Sequence, residues 1–330
     1  MKKDLSKIVC IGGGTGTFVA LSGLKRYPCH LSAIVTMSDS GGSNKRIRDE
    51  FGLLPTSDIR QSLVALAADN GSAIMRQLFM YRFDKGQGIT GMTFGNLFMA
   101  ALSDILGSQE EAIRQTGKIL RIKGTVIPVS FTDTNLLATY ENGHTVSEEH
   151  LIDEPPHDGK MKITAVTLEP KAEVNPDALT AIKKADLVVI GPGDLFTSLI
   201  PNLLVEGIPQ ALKETKAKIV YVMNLMTKYG QTYNFSALDH VRIIEQYAGR
   251  PPDYVLVNTA TFAPEVVSYY ATHNELPVVD DLPDTASYDV LRVSLASTSP
   301  SEKSQSDTLT RSLIRHDSEK LGEALYNILT

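Results

Sequence analysis

The stretch that decides the fold is KIVCIGGGTGT at residues 7–17, where an apolar strand runs directly into a glycine-rich turn. A second apolar segment, LSAIVTM at residues 31–37, runs into SDSGGS at residues 38–43. A buried strand that breaks into glycines exposes backbone N–H groups at a helix N-terminus, where the amides and the helix dipole favour negative charge. Two such turns on neighbouring strands predict a site for a phosphorylated, nucleotide-like ligand.

Apolar strands and amphipathic helices alternate along most of the remaining chain. Helical spacing recurs at residues 58–67, 74–83, 96–106, 110–120, 175–184, 198–212, 241–247, 264–272 and 318–329. Continuous apolar runs at residues 186–190, 219–223, 254–258 and 290–295 are typical of strands buried on both faces. The alternation predicts an α/β fold, a doubly wound and mostly parallel Rossmann-like sheet.

One region departs from this alternation. Residues from about 125 to 170 contain short strand-like runs around a turn signal, ENGH at 141–144. We expect a β-rich insertion there, within a single α/β domain that covers residues 1–330. The Ser- and Thr-rich stretch at residues 296–307 predicts a loop.

Composition narrows the class of protein. The formal net charge of −6 argues against a general nucleic-acid binder, which needs a basic surface. The two cysteines, Cys10 and Cys29, predict free thiols in a reducing compartment and exclude a cysteine-rich zinc module. No signal peptide or membrane-spanning stretch is visible. These features predict a cytoplasmic protein without membrane insertion, and they leave a homo-oligomer open.

Polar residues at the strand ends indicate phosphate chemistry. The first turn differs from the G-x-G-x-x-G fingerprint because Thr17 replaces the last glycine, and no P-loop Gly-Lys follows. Asp39 is placed to hold ribose hydroxyls, to ligate a phosphate-bridging metal or to cap its turn. Arg46 follows the second turn, where it would neutralise a diphosphate or lie on a solvated face. Asp58 either pairs with Arg60 or faces the same pocket as Asp39.

Asn96 begins a predicted helix, and Asn224 follows a predicted strand. Each of them either caps the backbone or binds a base or sugar of the ligand. No G-x-S-x-G or H-x-x-x-H pattern supports a hydrolytic triad or a zinc site. The candidate ligand-binding residues from these patterns are Gly12, Gly13, Gly14, Thr15, Gly16, Thr17, Asp39, Gly41, Gly42, Ser43, Arg46, Asn96, Gly191, Gly193, Asp194 and Asn224.

The motifs taken together, in order along nearly the whole chain, resemble one family. They are IGGGTG at 11–16, the segment 34–48, SDIR at 57–60, GNL at 95–97, ADL to GPGDLFTS at 185–198, NLMT at 224–227 and RH at 315–316. This set is similar to the gluconeogenesis factor family (YvcK-like), which is related to the 2-phospho-L-lactate transferases (CofD-like) of deazaflavin coenzyme synthesis.

The resemblance implies a Rossmann-like core and two different activities. The gluconeogenesis-factor branch implies a UDP-sugar-binding protein required for growth and cell shape on gluconeogenic carbon sources. Its aromatic and arginine contacts to the nucleotide sugar match Tyr270 and Arg315. The transferase branch implies a nucleotide-activated donor and a divalent metal such as Mg²⁺ held by acids. Asp39 and Asp58 match those acids and are the candidate catalytic residues, with Asp39 as the candidate metal ligand.

Departures from the family pattern bear on the choice between these activities. Ser40 stands where the family usually has a second aspartate, which weakens a two-acid metal site. A nicotinamide-dependent oxidoreductase is a third interpretation, but it needs strict glycine spacing and a hydride-transfer acid–base residue, and neither is found. The favoured interpretation is a nucleotide-sugar-binding protein, with the transferase as the alternative.

Overall fold

The computed structural model describes residues 5–68, 73–284, 286–297 and 313–330. Its strands are β1 (Ser6–Gly12), β2 (Cys29–Val35), β3 (Thr125–Pro128), β4 (Asn135–Tyr140), β5 (Thr145–Ser147), β6 (Ile163–Glu169), β7 (Leu187–Ile190), β8 (Lys218–Val222), β9 (Tyr254–Asn258) and β10 (Asp289–Val293). Its helices are α1 (Gly14–Leu24), α2 (Gly42–Phe51), α3 (Ser57–Leu66), α4 (Ala73–Met80), α5 (Phe94–Leu106), α6 (Gln109–Ile119), α7 (Glu149–Asp153), α8 (Pro176–Lys184), α9 (Ile200–Leu203), α10 (Ile208–Glu214), α11 (Ala237–Ala248), α12 (Pro264–Thr272) and α13 (Ser318–Asn327). A π-helical turn (Leu195–Leu199) precedes α9.

Seven of the strands form one parallel sheet in the order β10-β9-β8-β7-β1-β2-β3. Alternate residues of β1 enter two different apolar clusters, with Ile8 and Cys10 on one face and Val9 and Ile11 on the other. Both faces are therefore covered, which is why this strand reads as a continuous apolar run. The predicted α/β, Rossmann-like class is confirmed, and the strand order reverses between β1 and β7.

A second, antiparallel sheet has the order β5-β4-β6 and is followed along the chain by the helices and strands of the second half. The buried residues of β4, which include Leu136, Ala138 and Tyr140, pack into the same apolar cluster as Val9 and Ile11. This small sheet is the predicted β-rich insertion, but it begins later than expected. Residues 125–128 form β3, which pairs in parallel with β2 as the edge of the large sheet.

One other local prediction differs from the structure, and one short helix was not predicted. The segment 198–212 was expected as one helix, yet it is divided into the π-helical turn, α9 and α10. The break falls at Gly207, whose φ of +96° is left-handed and interrupts any right-handed helix. No pattern predicted α7, a five-residue helix between the strands of the small sheet. The predicted loop at 296–307 lies outside the described residues beyond Ser297.

Helix α13 packs closely on α1 through two glycines. A Cβ atom on Gly23 would lie 2.0 Å from the carbonyl oxygen of Ser318, and one on Gly322 would lie 2.6 Å from the backbone of Gly23. This close approach places the segment that precedes α13 near the carboxyl ends of the central strands. Cys10 and Cys29 are free thiols. In the described part of the chain, no helix is long and apolar enough to cross a membrane.

Candidate functional site

A cavity of about 200 Å³ lies at the carboxyl ends of β1, β7 and β8, beside the point where the strand order reverses. It is lined by residues 13–16 after β1, 192–194 after β7, 224–228 after β8 and 314–316 before α13, together with Val19, Asp153, Ser198 and Glu275. Open parallel sheets bind ligands at this position because the strand-to-helix turns diverge there and leave a crevice. The cavity is the candidate functional site.

The first glycine turn forms one wall of this cavity. Gly13 is the N-cap of α1, and a Cβ atom there would lie 2.0 Å from Oδ2 of Asp58. A Cβ atom on Gly16 would lie 2.1 Å from the carbonyl oxygen of Pro192, so only glycine lets α1 approach the turn after β7. The N–H of Gly14 donates to Oδ1 of Asp58 at 2.9 Å. The N–H groups of Thr15 and Gly16 belong to the same first turn and have no acceptor within the helix.

The second glycine turn lies next to the cavity but does not line it. Oδ1 of Asp39 accepts the N–H of Gly41 at 2.8 Å, and its Oδ2 accepts Nδ2 of Asn44 at 2.5 Å. Gly42 and Ser43 begin α2. The N–H of Gly41 therefore has a carboxylate of the protein itself as its partner. Binding of a ligand diphosphate by the second turn stays a prediction.

Arg46 and Asn96 are among the candidates from the sequence that lie away from the cavity lining. Arg46 donates to the carbonyl oxygens of Gly88 and Thr90 on an exposed loop, the latter at 3.3 Å. Asn96 is fully buried, accepts Nε of Arg60 at 3.0 Å and donates to Oδ1 of Asn44 at 3.3 Å. Both side chains hold protein segments together in this conformation.

Inside the core, the carbonyl oxygen of Gly12 accepts Nδ2 of Asn202 at 3.4 Å. Thr17 is buried, and its hydroxyl has no hydrogen-bond partner. Neither residue belongs to the cavity lining.

The turns after β7 and β8 do meet at the cavity. Gly191 has a φ of +85°, so the chain turns sharply there through a left-handed residue before Gly193 and Asp194. Nδ2 of Asn224 donates to the carbonyl oxygen of Gly193 at 2.9 Å and links the two turns. Arg315 lines the same cavity from the C-terminal segment.

Tyr270 lies behind the cavity wall. Its side chain is buried in a small apolar cluster with Leu225 and Met226, and its hydroxyl accepts the N–H of Ile314 at 3.0 Å. In this conformation Tyr270 supports the segment that carries Arg315. A stacking contact between its ring and a ligand stays a prediction.

Sequence reasoning missed Lys228, a cation of the cavity lining. Its Nζ lies 3.3 Å from Oδ1 of Asp153, which α7 brings from the small sheet. Burial opposes the charge on Lys228, but the nearby carboxylates of Asp194, Asp153 and Glu275 outweigh burial and raise its pKa. Lys228 directly follows the NLMT motif at the end of β8, which was an available signal. No sequence signal pointed to Asp153.

Half-buried carboxyl groups cluster between the two glycine turns and the cavity. Burial is the main reason why the pKa values of Asp39, Asp58, Glu149 and Asp194 are all raised. The negative charge of Asp39 adds to the effect on Asp58, whose pKa reaches about 7. A hydrogen bond from Glu149 partly offsets the rise at Asp39. The cluster therefore favours protonated carboxyl groups or a compensating positive charge.

Oxygen ligands of this kind are what Mg²⁺ prefers in proteins. Across residues 5–68, 73–284, 286–297 and 313–330, however, no group of three or more His, Cys, Asp or Glu residues is arranged to hold a metal ion. Both carboxylate oxygens of Asp39 already accept hydrogen bonds. The residues present therefore do not form a metal site in this conformation, and Mg²⁺ binding at Asp39 stays a prediction.

His316 lines the cavity next to Arg315 and is 8% exposed. Burial lowers its pKa from 6.5 to about 4, and a hydrogen bond with the backbone of Met223 acts in the opposite direction. Its Nε2 has no hydrogen-bond partner. The imidazole is therefore neutral at pH 7 and adds no charge to the cavity.

Comparisons with known proteins agree with the fold and with the motifs. The family model of 2-phospho-L-lactate transferase CofD matches residues 8–298. The gluconeogenesis factor of Bacillus subtilis is 36% identical over 324 residues, covering 98% of this chain and 98% of that protein. The gluconeogenesis factor of Listeria innocua is 41% identical over 268 residues, covering 81% of each. An X-ray structure of a Bacillus halodurans protein has a TM-score of 0.88 and 34% identity, covering 98% of this chain and 100% of that one.

These matches confirm the resemblance found in the motifs. The class is that of CofD-type Rossmann-like proteins, and the chain belongs to the gluconeogenesis factor family within it.

Proposed function

We propose that this protein binds the diphosphate of a nucleotide sugar, in the first place a UDP-sugar, in the cavity between α1, β7 and β8. The observation that carries the proposal is the meeting of the α1 N-terminus with Lys228 and Arg315 in one crevice at the strand-order reversal. Backbone amides at a helix N-terminus and cationic side chains are the groups that bind phosphate oxygens.

In the proposed complex the phosphates lie against the N–H groups of Thr15 and Gly16. Arg315 balances their charge from the opposite wall. Ser198 and Thr227 supply hydroxyl groups from the cavity lining. A cavity of about 200 Å³ is smaller than the roughly 300 Å³ at which pockets for drug-sized ligands begin. It therefore suits the diphosphate part of a larger ligand, whose base and sugar would extend beyond it.

Isothermal calorimetry with UDP-N-acetylglucosamine, UDP and GDP tests this proposal. Wild-type protein is expected to bind at least one of them, and Arg315→Ala is expected to bind about tenfold or more weakly because a charge-assisted hydrogen bond is lost. Arg114→Ala is the matched control, since Arg114 is an exposed residue of α6 that pairs with Glu111. Absence of both heat and thermal stabilisation at millimolar ligand would overturn the proposal.

We propose that the protein acts in the cytoplasm and is required for growth and normal cell shape on gluconeogenic carbon sources. The name gluconeogenesis factor, which its relatives carry, supports the link to gluconeogenesis. A strain that lacks the protein is expected to grow on glucose and to fail on a gluconeogenic carbon source. Wild-type protein should restore growth, whereas the Arg315→Ala variant should not. Full rescue by this variant would separate the cellular role from the cavity.

A metal-dependent transferase that uses a nucleotide-diphosphate-activated donor is the second candidate function. The carboxyl cluster beside the cavity and the family model favour it. This function requires that binding of a guanosine-linked phospholactyl donor depend on Mg²⁺ and be lost in Asp39→Ala. Nucleotide binding that is identical with Mg²⁺ and with a chelator would contradict it.

A further inference from the structure

We propose that Asp153 is a positioning residue for Lys228, and that the small antiparallel sheet is thereby a working part of the phosphate site. Lys228 would contact the phosphates, and Asp153 would act on the ligand only through Lys228. This inference rests on the proposed function, because it names a further contact of the same ligand.

The carboxylate of Asp153 lies between the ammonium group of Lys228 and the buried side-chain amide of Gln231. Its oxygens are 3.3 and 3.5 Å from Nζ of Lys228, and Oδ1 also accepts Nε2 of Gln231 at 2.8 Å. Gln231 is 2% exposed and is itself held, because its Nε2 donates to Oγ1 of Thr197 at 3.1 Å and its Oε1 accepts the N–H of Phe196 at 3.2 Å. The carboxylate that faces Lys228 is therefore fixed by the π-helical turn after β7.

The backbone of Lys228 is held as well. Its N–H donates to Oγ1 of Thr232 at 2.8 Å, and its carbonyl oxygen accepts the N–H of Thr232 at 2.8 Å. A lysine side chain has a flexible four-carbon stem, and it loses rotamer entropy when it is held in one geometry. With its backbone held and its ammonium group beside Asp153, Lys228 loses less freedom when it meets a phosphate.

The segment that contains Asp153 is docked on the segment that contains Lys228 at further points. The N–H of Gly230 donates to the carbonyl oxygen of Gly159 at 2.9 Å, and the hydroxyl of Tyr229 donates to Oδ1 of Asp158 at 3.1 Å. A Cβ atom on Gly230 would lie 2.6 Å from Cδ of Pro155. Residues 153–159 thus follow the loop after β8 closely.

On its other side, α7 is tied to the second glycine turn. Oγ of Ser40 lies 3.2 Å from Nδ1 of His150 and also accepts the N–H of His150 at 3.2 Å. Ile152 is fully buried in the apolar cluster on that face of the sheet. Helix α7 therefore connects the turn after β2 with the loop after β8, and Asp153 is its contact with the cavity.

A double-mutant cycle tests the inference. Affinities for UDP and for uridine are measured by calorimetry for wild-type protein, Lys228→Met, Asp153→Asn and the double variant. We expect Lys228→Met to weaken UDP binding by about tenfold to a hundredfold, since a charge-assisted hydrogen bond is lost. Asp153→Asn should weaken it several-fold, and the double variant should bind no more weakly than Lys228→Met alone. Uridine has no phosphate, so its affinity should change little in any variant.

Lys216→Met and Asp104→Asn are the matched controls, since both residues are exposed and lie outside the cavity lining. Gln231→Met is the second variant, in case Asp153→Asn does not fold. This substitution removes the hydrogen bond from Gln231 to Asp153 without changing the charge. It should weaken UDP binding when it is made in wild-type protein but not when it is made in the Lys228→Met variant.

If wild-type protein binds UDP, three results would overturn the inference. The first is an unchanged UDP affinity in both Asp153→Asn and Gln231→Met, and the second is a double variant in which the losses of affinity from the two single variants add. The third is a loss of uridine affinity in the variants that equals the loss of UDP affinity. Absence of binding of UDP, GDP and UDP-N-acetylglucosamine by wild-type protein would instead overturn the proposed function, and this inference with it.

Discussion

Replacing Asp58 by asparagine is expected to stabilise the folded protein at alkaline pH and to change its stability little at acidic pH. The pKa of Asp58 rises from 3.8 to about 7, mainly because the surrounding protein removes water from its carboxyl group and then because Asp39 carries a like charge. The bond from the N–H of Gly14 acts in the opposite direction, and an asparagine oxygen can still accept it.

The sign and size of the effect follow from linkage between protonation and folding. Because the folded pKa lies above the unfolded one, the stabilising contribution is complete below about pH 3.8 and is lost as the pH rises through about 7. A difference of one pKa unit corresponds to about 1.36 kcal/mol, so the full loss of folding free energy is about 4 kcal/mol. Asp58 is partly exposed to solvent, which screens its charge, so we expect about 2 kcal/mol.

Urea unfolding followed by circular dichroism measures this difference, because the chain has no tryptophan for fluorescence. The free energy of unfolding of Asp58→Asn minus that of wild-type protein should grow by about 2 kcal/mol between about pH 4.5 and about pH 8. Asp104→Asn, on the exposed side of α5, should show no such growth. A constant difference, or destabilisation by Asp58→Asn at pH 8, would refute the reasoning.

Three further predictions concern other parts of the site. Gly16→Ala should destabilise the fold by about 2 kcal/mol in urea unfolding, because its Cβ would lie 2.1 Å from the carbonyl oxygen of Pro192. Gly41→Ala is the control, because its Cβ would have no contact under 3.5 Å. The pKa of His316 is about 4 in the folded protein and 6.5 in the absence of burial. The stability that the neutral imidazole contributes is therefore present above pH 6.5 and is lost as the pH falls. Wild-type protein should therefore lose about 2 kcal/mol relative to His316→Gln between about pH 6.5 and about pH 5, and parallel curves would contradict this. Arg46→Ala should change UDP affinity less than about twofold, because its guanidinium bonds an exposed loop, and a tenfold loss in calorimetry would disagree.

The sequence predicted those parts of the fold that local pattern specifies. Strand β1 reads as a continuous apolar run because its alternate residues enter two apolar clusters. Helix α8 was placed within one residue because Asn175 caps it and Pro176 begins it. The segment after β7 was harder, because the division at Gly207 depends on a single left-handed residue within an apolar stretch.

At the candidate site, the turns after β1, β7 and β8 could be predicted to lie together because parallel strands end at the same edge of the sheet. Among the neighbours that share the cavity, Arg315 was expected only through the family resemblance, and Asp153 and Lys228 were not predicted. Arg46 lies on an exposed face of α2 and donates a hydrogen bond to a loop 42 residues away. Tyr270 is buried behind the segment that carries Arg315.

By itself, the sequence determined the parallel sheet, its glycine turns and the edge of the sheet that carries the candidate site, because hydrophobic periodicity and glycine conformation act over a few residues. Tertiary structure alone decided that Asp58 would bond the N–H of Gly14 across 44 positions and that Asp153 would meet Lys228 across 75. Such contacts depend on how whole elements pack, and burial at the contact then sets the charge of each group.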